Sequence, residues 1–74
     1  VENNEDIFFL KVFGQNVKKI RKDKGLTQEQ LSNDLGMEIS QISRIERGVV
    51  NTSILNITKI AQVLEIDIEE LFKF

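Results

Sequence analysis

The sequence predicts an all-α fold: five short helices packed as one compact domain over residues 1–74. Three observations carry that reading. Apolar residues recur at steps of three and four, as Leu10, Phe13, Val17 and Ile20 do, which is the period of a helix with one buried face. Glycines at 14, 25, 36 and 48 divide the chain at intervals of 11, 11 and 12 residues, and the segments between them do not resemble one another. They read as punctuation, not as a repeat. Nothing alternates with a period of two over more than a few residues, so no strand is expected.

The elements follow in order. The stripe from Leu10 to Ile20 places a first helix over about 7–24, and Gly25 fits the left-handed position that ends it. Thr27 followed by Gln30 is a capping box, which opens a second helix with Leu31 and Leu35 inward; Gly36 ends it. A third helix fits 39–47, with Ile42 and Ile45 inward and Gly48 closing it. Ser53 with Asn56 starts a fourth, whose stripe is Ile57, Ile60, Ala61 and Leu64. Asp67 with Glu70 reads as a second capping box, opening a short fifth helix with Ile68, Leu71 and Phe72; helices four and five together span about 53–73. Ten Ile and six Val against one Ala lower the intrinsic helix propensity. Their helical spacing and the caps outweigh it.

Composition removes most chemistries. The chain has neither Cys nor His, so it lacks a disulfide, a zinc cage, a thiol nucleophile and an imidazole base. The nucleophile–base pairs left are Ser or Thr with Lys, and no motif places such a Lys. No enzyme, no metal and no cofactor are therefore expected. The longest apolar run, Ile7 to Leu10, falls far short of the roughly 18 residues of a spanning helix. Glu2, Glu5 and Asp6 precede it where a signal peptide would be basic. The expectation is a cytoplasmic protein with no membrane partner. Its formal charge of −2 hides a gradient: residues 11–24 carry six basic side chains against Asp23, while residues 49–74 are acidic. The total argues mildly against nucleic acid, and the polarity argues mildly for one basic face.

Only Gly36, Met37 and Glu38 link helices two and three, and a link that short forces a steep crossing, the helix-turn-helix unit, here over about 27–47. Its demands are met in register. Ser32 is small where the helices pack closest, Gly36 accepts a positive φ in the turn, and Leu31, Leu35, Ile42 and Ile45 form the wedge. With Ile42 and Ile45 inward, the opposite face of helix three holds Ser40, Ser43, Arg44 and Arg47, flanked by Ile39 and Gln41. Hydroxyls, a glutamine and arginines are groups that read base edges or grip phosphates. Gln41 suits adenine and Arg44 suits guanine.

The stretch "LTQEQLSNDLGMEISQISRIERG" resembles the Cro/repressor-type helix-turn-helix family of bacterial and phage transcriptional regulators. "NVKKIRKDKG" resembles that family's first helix and "NTSILNITKIAQVLEIDIEELF" its fourth and fifth, so the likeness covers about residues 13–72. Among its members it is closest to small stand-alone regulators, including restriction–modification controller proteins. The resemblance implies a repressor-like DNA-binding domain, acting as a dimer on a two-fold symmetric operator with the helix at 39–47 in the major groove. It places Ile39, Ser40 and Arg44 at the bases, and Gln28, Arg47 and Asn51 at phosphates; the outer face of helix three adds Gln41 to the bases and Ser43 to the phosphates. Gln28 also buttresses the recognition helix in that scheme, and Arg21 pairs with Glu46 to hold it. Ile39 replaces the polar residue often found at its position, Val49 and Val50 replace basic ones, and Glu65 stands where the family usually has Gly.

Ile66, Ile68, Leu71, Phe72 and Phe74 crowd the last nine residues with more apolar surface than one small core needs. The first four are the expected homodimer interface; alternatively, Phe8 and Phe9 cover the same patch within one chain. With no spare domain, a small-molecule effector is not expected. The competing function on the same fold is a protein-interaction module, such as an antitoxin or a coactivator.

Overall fold

In a computed structural model, which describes residues 3–74, the chain forms four α-helices and a C-terminal 3-10 turn. Glu2 of the acidic lead lies outside these residues. Helix α1 spans Asn4–Asp23, α2 Gln28–Leu35, α3 Ile39–Arg47 and α4 Ile54–Leu64, and the turn covers Ile68–Phe72. The α1 helix starts three residues before its apolar stripe suggests, because the Asn3 side chain accepts a hydrogen bond from the Asp6 N–H at 2.9 Å and caps it.

The capping box at Thr27 and Gln30 forms in full: the Gln30 N–H donates to Thr27 Oγ1 at 3.0 Å, and the Thr27 N–H to Gln30 Oε1 at 2.8 Å. Ser53 likewise caps α4 through the Asn56 N–H at 3.1 Å. The box expected at Asp67 does not form. Its side chain makes no capping bond, and the Glu70 carboxylate instead accepts from Lys73 Nζ at 2.6 Å, which raises the Lys73 pKa above the ordinary lysine value. The backbone closes as an i to i+3 turn, with the Glu70 N–H donating to the Asp67 carbonyl at 2.9 Å. Five residues are too few to repay nucleation of an α-helix, so the fifth helix is corrected to a 3-10 turn.

The core joins all five elements: Phe13 and Val17, Leu31, Ile42 and Ile45, Ile60, Ala61 and Leu64, and Leu71. Helix α1 lies mainly on α3, α2 bridges α3 and α4, and the 3-10 turn closes between α1 and α4. Asn16 ties that turn down, its Nδ2 donating to the carbonyls of Glu70 at 3.0 Å and Leu71 at 2.8 Å. Glu65 ends α4 in the left-handed region at φ 58, the only non-glycine among the described residues to do so.

Gly14 is not punctuation. It lies buried inside α1, where α1 and α3 touch backbone to backbone. A Cβ there would run into the carbonyl oxygens of Ile45 and Glu46, 2.6 Å from the latter. Gly48, at the end of α3, returns the contact: its Cβ would meet the Lys11 backbone, 2.6 Å from the nitrogen. The two glycines let main chain approach main chain, as only a residue without Cβ allows.

Candidate nucleic-acid interface

Helix α3 divides cleanly by face. Ile42, Ile45 and Glu46 are buried, while Ser40, Gln41, Arg44 and Arg47 are exposed and Ser43 is half-buried. The turn before it is held by Gly36 at φ 68, and by the Met37 N–H donating to the Ser32 carbonyl at 3.0 Å. Ser32 itself is buried, with its hydroxyl donating back to the Glu29 carbonyl at 2.7 Å.

A charged network holds the inner face of α3. Arg21 Nε donates to Glu46 Oε2 at 2.6 Å, and Arg21 Nη2 to Glu46 Oε1 at 3.0 Å, a two-pronged pair between buried side chains. Arg21 Nη1 donates to the Leu26 carbonyl at 2.7 Å, and Gln28 Nε2 to Glu46 Oε1 at 3.0 Å. One carboxylate thus gathers donors from α1 and from the first residue of α2. Taking two charges out of water is costly unless their geometry is good and their remaining hydrogen-bonding groups are satisfied. Among the described residues no buried side-chain nitrogen or oxygen lacks a partner.

The structure brings three of the remaining sequence-predicted residues together. Gln41, Arg44 and Asn51 line a cleft between α3 and the start of α4, together with Ser53 and Asn56. Arg47 Nε donates to Ser43 Oγ at 3.2 Å and to the Ser43 carbonyl at 3.3 Å, so in the free chain these two side chains engage each other. Ile39 opens α3 with 49% of its surface exposed. Val49 is exposed, and Val50 packs against the core.

The apolar patch is only partly where the sequence put it. Leu71 is 0% exposed and has no surface to offer a second chain, which corrects its assignment to a dimer interface. Ile66 is half-buried against the core, whereas Ile68 and Phe72 remain open. Phe72 packs on Phe13 at 5.1 Å between ring centroids, and Phe9 meets Phe74 edge-on at 5.7 Å, so the first helix does cover part of the patch. The sequence reading missed Ile54 and Leu55, 77% and 61% exposed on the first turn of α4. Leu55 carried a signal, since it lies off the Ile57–Ile60–Leu64 stripe yet is apolar, whereas Ile54 continues that stripe at a step of three and gave none. Asn16 was missed too, and a lone amide one residue from Val17 gives little away.

Among the described residues no helix is long and apolar enough to cross a membrane, and no group of three or more acidic side chains is placed to hold a metal ion.

A short helix pair joined by a three-residue turn, with its second helix locked from behind and polar in front, defines a helix-turn-helix protein. The chain belongs to the helix-turn-helix family HTH_3, which matches residues 17–71. It is 39% identical over 61 residues to the control protein C.MunI of a Mycoplasma species, covering 81% of this chain and 82% of that one. It is 39% identical over 64 residues to the control protein C.BamHI of Bacillus amyloliquefaciens, covering 85% and 79%. Two solved structures share the fold. The restriction–modification controller protein C.AhdI from Aeromonas hydrophila superposes with a TM-score of 0.83 at 43% identity, over 85% of this chain and 96% of that one. SinR, a master regulator of biofilm formation solved in complex with DNA, does so with a TM-score of 0.77 at 34% identity, over 82% and 98%.

Proposed function

We propose that the chain is a sequence-specific DNA-binding transcriptional regulator that places α3 in the major groove and acts as a homodimer on a two-fold symmetric operator. The observation that carries this is the division of α3. Its inner face is fixed to α1 and α2 through Glu46 and the paired glycines, while Ser40, Gln41, Ser43, Arg44 and Arg47 sit on the outer side. An α-helix with its side chains is about 10–12 Å across, which a major groove about 12 Å wide admits. Gln41 and Arg44 read bases here, with Ser40 beside them. Gln28, Ser43, Arg47 and Asn51 hold phosphates, Gln28 while one of its amide protons is committed to Glu46.

The relatives support the reading: they are control proteins and transcriptional regulators, one of them solved on DNA. An acidic chain can still bind a polyanion when its arginines are concentrated on the contacting face. For the dimer, the open apolar surface of Ile54, Leu55, Ile68 and Phe72 replaces the interface read from sequence. A protein of this kind works in the cytoplasm and needs no catalytic group.

In vitro selection from random duplex DNA, read at two salt concentrations, tests the function. The expected result is a palindrome with half-sites about one helical turn apart. Affinity should fall with salt, the logarithmic slope being about −0.9 per phosphate neutralised. A folded protein that enriches nothing at low salt would refute it in favour of the protein-interaction module.

A further inference from the structure

Core packing does not explain an isoleucine at the first residue of α3. Ile39 is half-exposed and is absent from the partly buried apolar residues that pack on the core, a set that includes its near neighbours Leu35 and Met37. A β-branched side chain is also a mediocre helix former, so helix propensity does not ask for it either. Its surroundings are polar apart from Met37: with that residue and Glu29, Ser32, Asn33 and Glu38 it edges a shallow groove between α2 and α3, and exposed Ser40 and Gln41 follow it. Any further burial of this side chain comes from outside the core.

In the major groove, base edges present hydrogen-bond donors and acceptors and one prominent apolar group, the C5-methyl of a pyrimidine. We propose that Ile39 determines specificity by packing on a pyrimidine C5-methyl in each operator half-site. This rests on the DNA-binding reading and adds to it what the leading end of the helix recognises. The methyl has two sources, thymine and 5-methylcytosine, which carry it at the same ring position and differ at C4. The neighbouring Glu38 keeps the second source in play. It is the N-cap of α3 but makes no side-chain capping bond, and a free carboxylate accepts from the cytosine N4 amine.

The test uses the selected operator and varies one half-site, replacing each thymine by deoxyuridine and each cytosine by 5-methylcytosine in turn. Dissociation constants are measured by fluorescence anisotropy for the parent and for Ile39→Ala. One position should show the methylated base bound about fourfold more tightly by the parent, the worth of one buried carbon group. Ile39→Ala should bind the two forms equally. Loss at deoxyuridine alone assigns the contact to thymine, and a gain at 5-methylcytosine alone assigns it to the modified base. Either supports the proposal.

A parent indifferent to every methyl overturns the proposal, as does a methyl preference that survives Ile39→Ala. Because the side chain lies outside the core, the variant should keep the parent's far-UV circular dichroism and salt slope. A parent that selects no operator at all fails one stage earlier, and overturns the DNA-binding reading itself.

Discussion

Glu46→Ala should be the most damaging single change at a position that touches no DNA. It strips Arg21 of its acceptors at 2.6 and 3.0 Å and Gln28 of its acceptor at 3.0 Å, leaving a buried guanidinium with the Leu26 carbonyl alone. Removing one member of a buried pair costs about 3–5 kcal/mol. A domain of this length has a total stability of about 4–11 kcal/mol, at roughly 0.05–0.15 kcal/mol per residue. The loss is then between about a quarter and all of the fold's stability. At about 4–8 °C per kcal/mol, the melting temperature should drop by at least about 12 °C.

Urea denaturation followed by far-UV circular dichroism suits the assay, since the chain has no Trp or Tyr to report by fluorescence. The control is the double variant Arg21→Met with Glu46→Leu, which replaces both charges by apolar groups of similar size. It should be far more stable than Glu46→Ala, because no charge is left buried alone. If Glu46→Ala has the parent's denaturation midpoint, or if the double variant is no better than the single, the pair is not what holds the recognition helix.

Three further changes probe other parts of the argument. Gly14→Ala should destabilise by about 1–3 kcal/mol although alanine is the better helix former, because the new methyl has to push α3 back; urea titration should show no such loss in Gln15→Ala, one residue along. Glu65→Gly should stabilise by up to about 1 kcal/mol, since a residue with a Cβ is penalised in the left-handed region by about 1–2 kcal/mol and glycine gives back part of that as chain entropy. A thermal melt unchanged or lowered would deny the strain. On DNA, Arg44→Ala should cost about 1–3 kcal/mol and relax selection at one base pair, whereas Arg47→Ala should weaken all sequences alike and reduce the salt slope by about 1. Exchanged behaviours would reverse the assignment of the two arginines.

The sequence was most informative where a local rule sufficed. The Thr27–Gln30 box and the start of α4 at Ser53 are decided within four residues of chain, and both formed as read. The same rule misled at Asp67, because Lys73 captures the Glu70 carboxylate and the segment is too short to propagate a helix. Gly14 shows a different limit. A glycine inside a helical stripe announces that something comes close, but only the third dimension says that it is the end of α3. Leu71 shows a third: period and hydrophobicity mark it as apolar, and nothing local distinguishes a residue that fills its own core from one that waits for a partner. On α3, by contrast, inner and outer faces could be separated at 100° per residue, and Glu46 lies on the boundary where an ionised group can reach inward.

The contact between Gly14 and the end of α3 has a consequence for how such a protein changes its target. The pose of the reading helix is set by two stretches of main chain and one carboxylate, none of which belongs to the outer surface. On the DNA-binding reading proposed above, side chains at 39, 40, 41 and 44 are therefore like type set in a fixed frame. They can be exchanged without altering the angle at which they meet the double helix. Lineages sharing this frame can diverge to new operators by a handful of substitutions while every geometric constraint on the frame stays silent about which operator is read.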